Sequence, residues 1–227
     1  MAKSQKEVLR LTVPRRHVLV AALAVSDDPT RTLLGSICFR AADPDAADTG
    51  SMEGVLRVIA SNGHKLVSMT GGTWEGEWPR HGCVVIPPKL FSRAKAKKLL
   101  DTEITVQCFG DGSVNVLDNA AGHQAAGDGV DSRFLPYPDV DRVLKRYRRY
   151  AVSKAAIGLR ADYLEQMGRI THLFQDHPLK KMRVVLRRRN VAKNGTEKDW
   201  CPVFDGTATS VLNRRLDVLL MGLREAA

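Results

Sequence analysis

The stretch VLRVIASNGHKLVSM, Val55 to Met69, decides how the chain is read. Apolar side chains recur at alternate positions on either side of Ser61-Asn62-Gly63, as they do along two half-buried strands. An Asn-Gly pair accepts the positive φ angles of a tight hairpin turn. The segment therefore reads as an antiparallel hairpin, Val55 to Ala60 against Lys65 to Met69. Upstream, Val8, Leu9, Leu11 and Val13 describe a strand, and Pro14 suits the first turn of a helix running to about Val25. Asp27-Asp28-Pro29 ends that helix, Leu33 to Arg40 gives the next strand, and the acidic stretch AADPDAADTGSMEG is a loop before the hairpin.

Downstream the same order returns. Gly82 to Ile86 reads as a strand, Pro87-Pro88 opens a helix over Lys89 to Leu100, and strands follow at Glu103 to Phe109, Ser113 to Leu117 and about His123 to Ala126. Gly71-Gly72 falls between strands. After a proline-bearing connector, Phe134 to Tyr150, a third set begins with a strand at Ala155 to Leu159 and a helix at about Ala161 to Phe174. Its strands are expected at Lys181 to Arg188, Val203 to Thr207 and Leu216 to Leu223, with Arg189 to Pro202 as an exposed hairpin tip. Three βαβββ units, with segregated strands and helices, predict an α+β fold.

The 227 residues are 44% hydrophobic, enough for a core, and carry no collagen period or low-complexity tract. The longest apolar run, Val18 to Val25, is too short to span a bilayer, and the N-terminus lacks a signal-peptide pattern, so a cytoplasmic protein is expected. Cys38, Cys83, Cys108 and Cys201 are widely separated, without zinc spacing, and read as buried thiols in a reducing compartment. Net charge is +10. It is uneven: Met1 to Lys145 holds 18 basic and 17 acidic residues, whereas Arg146 to Ala227 holds 17 and 8. That excess fits either a well-solvated surface or a polyanionic partner.

Chemistry is harder to find. The six histidines form no HxH, HExxH or triad spacing, no P-loop or GxGxxG occurs, and the carboxylates are dispersed. No cofactor or metal is expected, and the chain reads as a binding protein, not an enzyme. Basic residues do recur on the helices. Arg15 and Arg16 start the first, Lys89, Arg93 and Lys97 line one face of the second at i, i+4 and i+8, and Arg169 lies off the apolar face of the third. Each stripe is either a solvated face or part of a DNA-facing surface. In the first helix Val18, Leu19, Ala22 and Val25 are expected to face a sheet.

The hairpin, with Ala60-Ser61-Asn62-Gly63-His64-Lys65-Leu66, resembles the ATDGHRL segment of bacterial sliding clamps, the DNA polymerase III beta subunits. Other segments resemble that family in the same order. VLRLTVPRRHVLVAAL and TLLGSICFR are similar to its opening strand, helix and strand, and CVVIPPKLFSRAKAKKLL to its IVPRK helix segment. YPDVDRVL, Tyr137 to Leu144, resembles FPDYRRVL, and LLMGLR, Leu219 to Arg224, resembles the VVMPMR terminus. The resemblance implies a shortened clamp: a complete domain over residues 1–140, a connector over 141–148 and half a domain over 149–227.

It also implies a function. Such a protein encircles duplex DNA without sequence preference and tethers a DNA polymerase and other proteins carrying a clamp-binding motif, with a clamp loader as a further partner. The family's partner-peptide pocket carries over onto Leu34, Ser61, Gly63, His64, Lys65, Leu66, Pro138, Val143, Leu220, Met221, Gly222, Leu223 and Arg224. Gly222 stands where the family has proline and Leu223 where it has methionine. A family ring holds twelve units, so chains of three imply a homotetramer, in which third units complete each other's domain and first units join through free edges. Two rivals remain: a decoy that keeps the pocket but closes no ring, and a basic protein that binds DNA non-specifically without a pocket. No membrane association is expected.

Overall fold

The structure is a computed structural model that describes residues 6–42, 53–79, 82–91, 99–130, 137–148, 151–152, 161–174, 183–188, 200–206 and 215–220. The first unit comprises β1 (Glu7–Pro14), α1 (Arg15–Ala22), β2 (Ile37–Ala41), β3 (Glu53–Ser61) and β4 (Lys65–Gly76). The second holds β5 (Val84–Ile86), a 3-10 turn at Pro88–Leu90, β6 (Glu103–Phe109), β7 (Ser113–Asp118) and β8 (His123–Asp128). A helix, α2 (Val140–Arg148), leads to the third: β9 (Ala151–Val152), α3 (Ala161–Phe174), β10 (Arg183–Arg188), β11 (Trp200–Gly206) and β12 (Arg215–Leu220).

The first two units become one domain by exchanging their leading strands. β1 pairs with β6 of the second unit, from Glu7 opposite Phe109 to Pro14 opposite Glu103. Reciprocally, β5 pairs with β2, Ile37 opposite Ile86 and Phe39 opposite Val84. The third unit joins through its last strand: β12 runs antiparallel to β4, Leu220 opposite Lys65 and Arg215 opposite Thr70. Its β9 pairs with its own β10, Val152 opposite Arg187 and Ala151 opposite Arg188. Strand order from edge to edge is β8-β7-β6-β1-β4-β12-β11-β10-β9, with β5-β2-β3 attached along the other edge of β4. Among the described residues the strands of the complete domain that pair on one side alone are therefore β8 and the short β5, both in the second unit. The first unit's last strand is already consumed by β12, which corrects the expectation that first units join copies.

Alternate residues of the central strands face two cores. Val58, Val67 and Met69 join α1, Phe39, Trp74 and Ile104 in the main cluster. Ile59 and Leu66, pointing the other way, join Cys38 and Val85 in a second cluster under α2. Helix α1 is buried from Arg15 to Ala21 because it has partners on both sides, the sheet and α3, whose Ile170 and Leu173 enter the same main cluster. Ala22 is exposed, not sheet-facing as expected, and the helix ends there instead of near Val25.

Other boundaries moved for local reasons. Residues 28–36 are held in turns, with Asp28 Oδ1 accepting from Thr30 N at 2.9 Å and Arg31 O from Gly35 N at 2.7 Å, so β2 starts at Ile37 and not Leu33. β4 continues through Gly71-Gly72 to Gly76. The tail of the expected hairpin tip, Trp200 to Pro202, lies within β11. Most of the expected second helix, and the strand at Ala155 to Leu159, lie outside the described residues.

Three thiols, Cys38, Cys83 and Cys108, are buried and unbridged. A hydrogen bond with Cys83, together with burial, holds the Cys38 thiol well above its ordinary range. Burial pushes Cys108 up to about 12. Both are packing groups and poor nucleophiles at neutral pH. Among the described residues no helix is long and apolar enough to cross a membrane.

The complete domain is also tied by charge. Arg15 and Asp118, both fully buried, form an ion pair that joins the first residue of α1 to the end of β7. Arg15 Nε donates to Thr102 Oγ1 at 3.0 Å, and its backbone N–H to Thr102 O at 2.9 Å. Removing one member of such a pair strands the other in a dry interior. Asp118→Ala should lower unfolding stability by about 3 to 5 kcal/mol, read from the urea midpoint. A shift no larger than about 0.5 kcal/mol, the size of a surface substitution, would contradict this account.

Candidate functional site

The β3–β4 hairpin ends at the seam between the complete domain and the third unit. Its turn is held by side chains: Asn62 Oδ1 accepts from the N–H groups of His64 (3.0 Å) and Lys65 (2.9 Å). Ser61 Oγ accepts from Gly63 N at 3.1 Å and donates to Lys65 O at 2.8 Å. Gly63 takes φ 91°, and a Cβ there would lie 3.4 Å from Arg31 Nη1, so the 28–36 turn sits beside the hairpin tip. The sheet then continues into β12, with Leu219 opposite Leu66 and Leu220 opposite Lys65.

Helix α2 supplies the third wall. Asp139 caps it, its Oδ1 accepting from Arg142 N at 2.9 Å. Val140 and Leu144 are buried in the second cluster with Leu66, and Leu33, Tyr137 and Val143 border it. Asp141 anchors the helix to the strands below, pairing with Arg57 and, at 3.4 Å, with Arg40. This helix was not anticipated in the connector. Asp139 followed by Val140, Val143 and Leu144 at helical spacing was the signal that could have found it.

Of the residues carried over to the pocket, Leu66 and Val143 meet in one apolar cluster, while Ser61, Gly63, His64 and Lys65 form the adjoining turn. Pro138 and His64 are exposed at its margin. Leu34 is half-buried, but its neighbour Leu33 packs on the cluster. Leu220 reaches the seam through its backbone register. Met221, Gly222, Leu223 and Arg224 lie outside the described residues.

Lys65 is the unexpected member. It is only 7% exposed. Its Nζ donates to Leu23 O at 2.5 Å and to Gln166 Oε1 on α3, bridging hairpin, first helix and third unit. Desolvation lowers its pKa, against the opposing pull of Asp27 and Asp162.

The DNA-facing assignments are corrected in part. Arg15 is 0% exposed and Arg16 5%. Arg16 pairs with Asp101 and donates to Leu173 O of α3 at 3.3 Å. Neither guanidinium is presented to a phosphate, because α1 is covered by α3 and not open to a hole. Lys89 is exposed, as is Arg169, which pairs with Glu165 at 2.6 Å. Arg93 and Lys97 lie outside the described residues.

A cavity of about 520 Å³ opens elsewhere, between the start of β1, Trp78, β5 and the β6–β7 turn. None of the carried-over pocket residues lines it. Among the described residues no group of three or more His, Cys, Asp or Glu is placed to hold a metal ion.

No protein-family model matches the sequence. No curated protein matches it either. Solved structures do. The fold is similar to that of DNA polymerase III beta subunit from Thermotoga maritima, with TM-score 0.52 and 12% identity over 100% of this chain and 68% of that one. It is also similar to a sliding clamp from Pseudomonas aeruginosa bound to griselimycin, with TM-score 0.50 and 13% identity over 99% of this chain and 68% of that one. The chain spans about two thirds of the length of the structures it matches. Its three βαβββ units are those of the sliding-clamp fold, one complete clamp domain and one half.

Lys65 gives the seam a pH signature. With the folded pKa below its ordinary value of 10.5, the unfolded chain holds the extra proton between the two, so this group's contribution to stability rises with pH across that window. Below the folded value the desolvation cost is fully present. Relative to Lys65→Met, the wild type should gain unfolding stability as pH climbs towards 10.5. Parallel curves for the two proteins, measured by denaturant melts from pH 7 upward, would show that the amine is not desolvated.

Proposed function

We propose that the chain is a sliding-clamp-like processivity factor that surrounds duplex DNA and tethers a polymerase or other replication protein by a short peptide, without catalysing a reaction itself. The observation that carries this reading is the convergence, at the β4·β12 seam, of the Ser61–Leu66 turn, the α2 face bearing Val143, and the end of β12. An apolar cluster bordered by polar turn groups and by the half-buried Val143 suits a peptide that adds one or two apolar anchors to it. A clamp loader is a further partner of this reading. DNA contact would rest on Lys89, Arg169 and the basic excess of the C-terminal third, and not on Arg15 or Arg16.

One observation favours the decoy as a second reading. The fold-back of β9 onto β10 partly fills the position that a neighbouring half-domain would occupy, and a chain closed in this way could titrate replication proteins without forming a ring.

Two measurements test the proposal. Peptides carrying a clamp-binding motif should bind the wild type, and Val143→Asp should weaken them at least tenfold while circular dichroism stays unchanged, because an unpaired carboxylate would be buried by the anchor. Absence of binding by the wild type would remove the partner half of both the clamp and the decoy readings. Duplex DNA should bind without sequence preference and with a steep salt slope. A strong preference for one duplex would remove the DNA half.

A further inference from the structure

The cavity of about 520 Å³ beside Trp78 is separate from the β4·β12 seam, but one thiol belongs to the surroundings of both. Cys83 lines that cavity and is also buried in the second cluster, with Cys38, Leu66 and Leu144. It is 7% exposed, whereas Cys38 is 1% exposed and does not line the cavity. Cys108 lines the cavity too, but it packs in the main cluster.

The ladder brings Cys38 and Cys83 together. β2 and β5 run antiparallel, with Cys38 opposite Val85 and Phe39 opposite Val84. Side chains alternate between faces, so Cys83, two residues before Val85, shares the face of Val85 and Cys38. The packing agrees: Cys38, Cys83 and Val85 lie in the second cluster, Phe39, Val84 and Ile86 in the main one. The two thiols are hydrogen-bonded to each other. Diagonal neighbours on one face of an antiparallel pair lie about 7 Å apart, near the upper limit of what a disulfide spans. Cys83 precedes β5, and its neighbour Gly82 takes φ 68° with nothing within 4 Å of where a Cβ would stand. The chain there has room to close the difference.

We propose that Cys83 is an oxidant-responsive thiol, reached through this cavity by a hydroperoxide, and that Cys38 resolves it to an intramolecular disulfide joining β2 to the head of β5. The Cys83 sulfur attacks one oxygen of the hydroperoxide ROOH, the O–O bond breaks, and the thiol proton leaves with the other oxygen as the alcohol ROH. Cys83 is then a sulfenic acid. The Cys38 sulfur attacks it, the S–O bond breaks, and the Cys38 proton leaves with the hydroxide as water. Two thiols are oxidised by two electrons in all, and one hydroperoxide is reduced. Held protonated by its bond to Cys83 and by burial, Cys38 does not start the reaction; it acts once Cys83 has become an electrophile. A dithiol reductant reverses the bridge by exchange. Among the described residues β5 is held to the sheet by β2 alone, over three residue pairs. The bridge therefore fixes the second unit's exchanged strand to the first unit.

The test treats the reduced full chain with hydrogen peroxide, then alkylates it in denaturant and maps the peptides by mass spectrometry. Cys83 should be consumed roughly tenfold faster than Cys108, together with Cys38, as a cross-linked peptide pair two hydrogens lighter, and dithiothreitol should restore both thiols. In Cys38→Ala, Cys83 should stop at the sulfenic acid and take dimedone. In Cys83→Ala, Cys38 should stay reduced. Oxidised wild type should unfold at a higher urea concentration than the reduced protein, and oxidised Cys38→Ala should not. Mapping the wild type needs no substitution, so it decides the site even if a variant fails to fold. Cys83 reacting no faster than Cys108, or bridging to Cys108 in place of Cys38, would overturn the proposal. An unchanged urea midpoint in the bridged protein would overturn the hold on β5. None of these outcomes depends on whether the chain binds DNA or peptide.

Discussion

One edge of β4 serves two partners. Lys65 to Thr70 pairs with β12, and Thr73 to Gly76 pairs with β1, while the opposite edge follows β3 with a single irregularity between Val55 and Arg57. The change of partner falls at Gly71 and Gly72, whose φ angles are 151° and 86°. A Cβ at Gly72 would lie 2.2 Å from Thr12 O, and one at Gly71 would lie 2.8 Å from His17 Cε1. No other residue fits there. The close approach of β1 holds the second half of β4 inside the complete domain, and the first half is left to carry the third unit. The β4·β12 seam exists because β4 divides its edge at these two glycines.

Buried cations stabilise what the glycines permit. Arg15 and Arg16 are consecutive at the start of α1, yet they reach different parts of the molecule: Arg15 goes to Thr102 and Asp118 of the second unit, Arg16 to Asp101 and to the end of α3. Lys65 makes a similar bridge from the hairpin to Leu23 and Gln166. Directional bonds from cations with little water around them favour one arrangement of the units over others that would strand the charge, at a cost in desolvation. Residues that look like a surface for polyanions thus act as internal ties. Any phosphate contact in the proposed clamp would have to come from other side chains.

What was legible in the sequence follows from how local each signal is. β6 and α3 were found at their true positions, and the hairpin at its turn though not at the far end of β4, because alternation or helical spacing, with turn residues at the ends, needs no tertiary partner. β2 was overextended because Leu33 and Leu34 look like strand residues, whereas the Asp28 and Arg31 turns claim them first. The burial of Arg15 and Arg16 was illegible because it depends on α3, more than 140 residues away, covering α1. At the seam, Leu66 and Val143 were legible only through resemblance, since nothing in their spacing says that they meet. Leu33, next to the expected Leu34, packs on the second cluster because a turn can present either of two adjacent leucines.

The third unit exposes the cost of having half a domain. In the complete domain the exchanged strand β1 makes seven pairs with β6, and β5 makes three with β2. The third unit's leading strand makes two with its own β10, and among the described residues none pairs with Arg183 to Leu186 on that side. Fold-back and exchange compete for the same edge. Fold-back is intramolecular and loses no translational freedom, so it prevails when copies are scarce. Exchange with a second copy gives a longer ladder and the two-half packing seen in the first two units, but two third units carry like charge, which opposes their approach at low ionic strength. On the reading proposed above, a polyanion between two such units would offset that repulsion and couple their assembly to DNA by charge, without any contact that reads a base.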